Sequence, residues 1–156
     1  RRPAVILRPG FITLEDLSFI NPDTIQASDT SMKDGIPKAP GMKYRHYAPR
    51  AKMLLLRGDP VKVSEYVDGI YEKKEGEKAC VLTVEEWTHY FKGKRVFDLG
   101  PMTDASRIAG NLFSVLRKID KTDINVIYAT YLEGKGLYTS IMNRMKKAAG
   151  ENVMNL

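Results

Sequence analysis

Met53-Leu54-Leu55-Leu56 is an unbroken apolar run, the pattern of a strand buried on both faces of a parallel sheet. Working outward, Val63, Val67, Ile70 and Tyr71 recur at helical spacing just downstream. Ala79–Val84 reads as a second strand and Arg95–Leu99 as a shorter third. Thr103-Asp104 offers an N-cap to the longest periodic segment, whose stripe is Ala105, Ile108, Ala109, Leu112, Leu116 and Ile119. Asn125–Thr130 is a fourth strand, and Leu137, Ile141, Met145 and Ala148 mark a last helix that Gly150 can close. Strands alternating with helices of this length imply right-handed crossovers, so residues 51–156 are expected to form an α/β domain with an open, mainly parallel sheet. There is no internal repeat.

Upstream of Ala51 the pattern differs. Ala4 to Arg8 reads as a short strand, turned by Pro9-Gly10. Residues 15–50 hold Asn21-Pro22-Asp23, Ser28-Asp29, Asp34-Gly35 and further prolines, with little apolar periodicity. A structureless stretch of that length is unusual inside a compact domain, so it is expected to be an interdomain linker. The chain opens at Arg1, without a methionine, directly before strand-like sequence, which reads as the middle of a larger protein.

Bulk composition narrows the classes. A chain of 156 residues, 43% apolar and 28% charged, can bury a real core. The lone Cys80 cannot form an internal disulfide, and its apolar surroundings suit a buried hydrophobe, so a reducing, cytoplasmic setting is expected. With only His46 and His89 and no cysteine cluster, a structural zinc site is not expected. No apolar run approaches the ~20 residues that span a bilayer, so no membrane partner is expected.

Chemistry concentrates in Ala39-Pro40-Gly41-Met42-Lys43-Tyr44-Arg45-His46-Tyr47-Ala48-Pro49. Prolines at both ends favour an extended strap, on which successive side chains alternate sides. Between Gly35 and Gly58 there is no acid but six cations, Lys38, Lys43, Arg45, Arg50, Lys52 and Arg57, which equal the whole net charge of +6. Rings and cations on one strap suit an anionic, ring-bearing ligand such as a nucleotide; a solvated surface loop is the plain alternative.

Elsewhere the signals are weaker. Glu133-Gly134-Lys135-Gly136 lies between the last strand and the last helix, where open sheets take ligands, but Thr139 replaces the third glycine of a GxGxxG pattern. Tight turning explains it equally. Asn143 and Arg144 are either exposed or pack the helix against another domain. Trp87 and Tyr90 are expected in satellite core packing, with an interface patch as the alternative, and Asp98 as a turn former. No serine–histidine–acid set, paired carboxylates or Walker loop is present.

The strap from Pro40 to Pro49 resembles the linker signature of the two-domain threonylcarbamoyl-AMP synthases. Ile6-Leu7-Arg8-Pro9-Gly10, with Ile12-Thr13, resembles the end of that family's catalytic lobe, and Ile141-Met142-Asn143-Arg144 its closing helix. Ala39 departs from the pattern, standing where a serine is common, and Tyr138 and Thr139 stand where small residues are usual. The resemblance implies a Rossmann-like accessory domain at 51–156, a linker and active-site strap at 15–50, and at 1–14 the tail of an upstream catalytic domain. It implies an enzyme that joins L-threonine, bicarbonate and ATP, with Mg2+ present, into threonylcarbamoyl-AMP for transfer-RNA N6-threonylcarbamoyladenosine. The upstream lobe would be the partner, and this chain alone would be inactive. Arg8, Lys43, Tyr44, Arg45, His46 and Tyr47 would contact ATP or close over it; His46 could carry a proton or orient a phosphate. The competing expectation is a non-enzymatic regulatory module binding a nucleotide or RNA.

Overall fold

The computed structural model describes residues 3–27, 48–73 and 78–156. Val5–Ile6 (β1), Leu14–Ile20 (α1) and Ile25–Gln26 (β2) come first. A larger unit follows: Lys52–Arg57 (β3), Pro60–Glu72 (α2), Ala79–Thr83 (β4), a 3-10 helix at Glu85–Phe91, Val96–Asp98 (β5), Ala105–Asp120 (α3), Val126–Thr130 (β6), Leu137–Ala148 (α4) and Val153–Asn155 (β7).

In the larger unit the strand order is β5-β4-β6-β3-β7, every pair parallel, with Leu54 beside Tyr128 and Cys80 beside Ile127. The expected open, parallel α/β architecture is therefore present. Connections from β3 and β4 step toward one edge, and those from β5 and β6 step back toward the other. Right-handed crossovers then place the intervening helices on opposite faces. The core divides accordingly. Ile108, Leu112, Ile119, Ile141 and Met145 of α3 and α4 cover one face, and Val63, Val67 and Ile70 of α2 with Phe91 cover the other. β3, β4 and β6 lie between them, and Leu55, Leu82 and Ile127 are wholly inaccessible.

Local chemistry starts and stops these helices. Asp59 caps α2, accepting from the Val61 and Lys62 amides at 3.0 and 3.1 Å, with Pro60 in the first turn. Asp104 caps α3 through the Arg107 amide. Gly150, at φ +61°, ends α4 while the Glu151 amide reaches back to the Lys146 carbonyl and the Gly150 amide to the Lys147 carbonyl, a Schellman closure.

Residues 15–50, expected to lack regular structure, contain α1 and β2 within the described part. Thr13 and Asp16 form a capping box that starts α1. β2 pairs in parallel with β1, Val5 beside Ile25. The 3-10 helix and β7 were also unforeseen. Residues 28–47 lie outside the described residues.

Candidate functional site

β4 and β6 are neighbours whose connections leave in opposite directions, which makes their carboxyl ends the switch point where open α/β sheets take ligands. That point is closed here. The Thr130 hydroxyl donates to the Thr83 hydroxyl at 3.1 Å, and both residues are buried. Val84, Leu99 and Leu132 are buried in the same core. Nearby, the Tyr138 hydroxyl donates to the Met102 carbonyl, while the Met102 amide donates to the Glu86 carboxylate at 2.9 Å. Burial, and after it the charges of Glu86 and Asp104, push the Tyr138 phenol up, so it stays a donor.

The glycine loop lies between β6 and α4 as the sequence implied. Gly136 has φ +61° and stands at the N-cap of α4 without a side-chain cap. A Cβ on Gly134 would stand 2.9 Å from the Tyr138 ring, so Gly134 is needed because a tyrosine already fills the space. The loop is fixed by packing and turning.

Open space lies beside the closed crevice. A cleft of about 570 Å³ runs between the N-terminal segment and α4. Pro9, Gln26 and Ala27 form one wall, Tyr131 to Gly134 the floor, and Thr139, Met142, Asn143, Lys146, Lys147 and Glu151 the other wall. The spacing 139, 142/143, 146/147 is one face of a helix. Arg57, at the end of β3, makes a two-toothed ion pair with Glu133 at 2.5 and 3.2 Å, and its guanidinium lies 4.5 Å from the centre of the Tyr131 ring. Glu133 pushes the Arg57 pKa further up, so that pair is neutral as a unit. The Lys146 ammonium lies 5.5 Å from the same ring.

Of the residues expected to touch ATP, Arg8 is exposed, immediately before Pro9 of the cleft wall. Lys43, Tyr44, Arg45, His46 and Tyr47 lie outside the described residues. The basic field expected from Gly35 to Gly58 is divided in its described part. Lys52 starts β3 and Arg57 ends it, ~17 Å apart for a six-residue strand, and Arg57 is paired. Asn143 lines the cleft toward the N-terminal segment, and Arg144 lies 5.4 Å from the Phe113 ring, beside Phe11. Trp87 and Tyr90 pack on the core, and Asp98 accepts the Gly100 amide at 2.6 Å, making a turn. Cys80 is buried, which pushes its thiol up to about 12 and leaves it inert. Gln26, Tyr131, Lys146, Lys147 and Glu151 were not anticipated at a site. Only the basic pair Lys146-Lys147 was visible, and it reads equally as complement to a helix C-terminus.

The family profile of the threonylcarbamoyl-AMP synthase C-terminal domain matches residues 12–150. The threonylcarbamoyl-AMP synthase of Pyrococcus abyssi is 36% identical over 157 residues, covering 99% of this chain and 44% of its own length. The crystal structure of P. abyssi Sua5 complexed with L-threonine superposes with a TM-score of 0.80 at 35% identity, over 97% of this chain and 44% of that one. The isolated C-terminal Sua5 domain of Pyrococcus horikoshii covers 70% of this chain and all of its own, at 25% identity and a TM-score of 0.51. The chain spans less than half the length of the curated relatives it matches.

Proposed function

This chain belongs to the threonylcarbamoyl-AMP synthase family through its C-terminal domain, and from that membership we propose that it is the carboxyl-terminal part of an enzyme making threonylcarbamoyl-AMP. The substrates are L-threonine, bicarbonate and ATP, and the product serves N6-threonylcarbamoyladenosine formation in transfer RNA. The catalytic lobe is the partner of this chain, and residues 51–156 are the accessory domain.

One observation carries the division of labour. Of nine exposed large hydrophobic side chains among the described residues, seven lie in the N-terminal segment: Val5, Leu7, Phe11, Ile12, Phe19, Ile20 and Ile25. Phe19 is 93% exposed and Ile20 77%. Nothing in α1 is buried. Apolar side chains this densely uncovered belong against another surface. Covering all seven would stabilise the joined protein by on the order of 10 kcal/mol. The cover is the catalytic lobe that makes up the rest of the longer relatives, and the 3–27 segment is its closing piece.

In this reading Arg8, exposed beside Pro9, meets an ATP phosphate through a charge-assisted bond. The strap supplies a lid: Tyr44 contacts the nucleotide, and Lys43, Arg45, His46 and Tyr47 complete the closed site, excluding water from a labile carbamoyl intermediate. His46 either carries a proton or orients a phosphate. Magnesium accompanies ATP in this reading. Among the described residues no group of three or more His, Cys, Asp or Glu is placed to hold a metal.

The test is adenylate formation by the joined protein, followed by pyrophosphate release. Replacing Tyr44→Ala and His46→Ala together should cut kcat/KM by about tenfold to a hundredfold, the worth of one ring on a base. Unaltered turnover would end the lid assignment. This chain without the lobe should form no adenylate, and activity of the chain alone would overturn the division of labour.

A further inference from the structure

We infer that the cleft between α4 and the N-terminal segment is a binding site for a mononucleotide. At about 570 Å³ it falls in the range of small-molecule sites, and it opens beside a switch point that the molecule has closed with its own hydroxyls.

The charges decide what fits. Glu133 is neutralised by Arg57, so the cleft is left with Lys146 and Lys147 against Glu151. The negative end of α4 lies near these lysines, but it carries only about half a charge against two full ones. Its last carbonyls are also occupied, by the Ala149, Gly150 and Glu151 amides. A phosphate monoester is therefore favoured at the lysine pair. Two carboxamides, Gln26 and Asn143, face the same space and can exchange paired hydrogen bonds with a base edge. Tyr138 and Met142 offer flat and soft apolar surface for its faces.

Two features of the wall point the same way. Glu151, with φ +63°, is the one non-glycine residue at positive φ among the described residues, and it lines the cleft. Such a conformation costs about 1 kcal/mol or more and concentrates at functional sites. Its carboxylate can accept from a ribose diol, a recurrent use of an acid beside a nucleotide. The buried Leu132 amide, on the cleft floor, has the Met142 sulfur as its acceptor at 3.3 Å, a weak partner for a backbone donor.

The experiment is a titration of the protein joined to its catalytic lobe, with this chain isotopically labelled, with AMP, read by amide NMR, with adenosine and inorganic phosphate as separate arms. AMP should give saturable shifts at Ala27, Leu132 to Gly134, Asn143, Lys146, Lys147 and Glu151. Lys146→Ala with Lys147→Ala should weaken AMP binding by about tenfold or more, as expected for a charge-assisted bond, while the amide spectrum of the sheet core at Leu55 and Ile127 is retained. Adenosine should bind more weakly than AMP. Arg117→Ala, exposed and outside the cleft lining, should change nothing. The absence of saturable shifts up to about 10 mM AMP, a value at the weak end of binding arithmetic, would overturn the assignment. So would an undiminished affinity in the lysine variant, or inorganic phosphate matching AMP. Tyr44→Ala with His46→Ala should leave the AMP shifts intact. Turnover of the joined protein tests the strap separately, so either reading can fail while the other stands.

Discussion

Residues 51–156 and residues 3–27 solve the burial problem in opposite ways. The larger unit closes two cores around its own sheet, with Leu55, Leu56, Val67, Leu82 and Ile127 all at 1% exposure or less. In the N-terminal segment Thr24 alone is buried, although the sequence there is richer in Phe, Ile and Leu than that of the larger unit. Apolar content therefore does not decide burial; partners do. Strands β3, β4 and β6 are sandwiched by helices from the same unit, whereas β1 and β2 form a two-residue pair in which no residue is buried. Two-stranded pairs are marginal without a packed layer. One region owns its core and the other awaits one.

The sharpest way to break that contrast is inside the larger unit. Leu55→Ala, at 0% exposure in the interior strand β3, should cost about 2–5 kcal/mol, read as a lowered midpoint in urea at an unchanged slope. A loss well under 1 kcal/mol would mean that the core is looser than its burial implies. Next in size is the hydroxyl pair that closes the switch point. Thr83→Val should cost about 1–3 kcal/mol because Thr130 is left buried without its partner. Replacing both threonines by valine should recover much of that loss, so the two single effects should not add. Additive losses in chemical denaturation would show that the hydroxyls do not act as a pair.

Most of the larger unit was readable before any coordinates because its signals are short-range. Met53 to Leu56 announced β3, and the stripes of α2, α3 and α4 were regular enough to place each helix. β7 was not readable: Val153 to Asn155 is three residues long and pairs only with β3, so it has no period of its own. The 3-10 helix was hidden because a three-residue repeat leaves Trp87 and Tyr90 looking like isolated aromatics. α1 was missed because Pro22 and Asp23 drew attention, while its actual start signal, Thr13 with Asp16, uses an aspartate where the usual capping box has Glu or Gln. The cleft could not be read at all. Its walls come from residues 9 and 26–27, 131–139 and 142–151, which only the tertiary fold brings together.

A milder test works from the other side of the comparison. Phe19→Ser should change the stability of this chain by no more than about 0.5 kcal/mol, the range of ordinary surface substitutions, since the ring is 93% exposed. In the protein joined to its catalytic lobe the same change should cost about 1.5–3 kcal/mol, the worth of burying the ring. Equal effects in the two settings, measured by thermal unfolding, would remove the argument that the lobe covers this face.

The smallest effect separates the two regions by pH. Asp16 accepts from the Thr13 amide at 2.9 Å and from the Thr13 hydroxyl, and these bonds, the backbone one first, hold its carboxyl below the ordinary value of 3.8. A carboxyl depressed in the folded state stabilises above its unfolded pKa and loses that contribution as pH falls through the folded value. Acidification from about pH 5 should therefore fray α1 while the larger unit keeps its sheet. The expected record is early loss of hydrogen-exchange protection at the Leu17 amide, which bonds to the Thr13 carbonyl at 3.1 Å, with protection at Leu55 and Ile127 retained. Asp16→Asn should abolish the pH dependence at Leu17 and leave the rest of the profile unchanged. If Leu17 and Leu55 lose protection together, the segment and the domain unfold as one unit and the division between them is wrong.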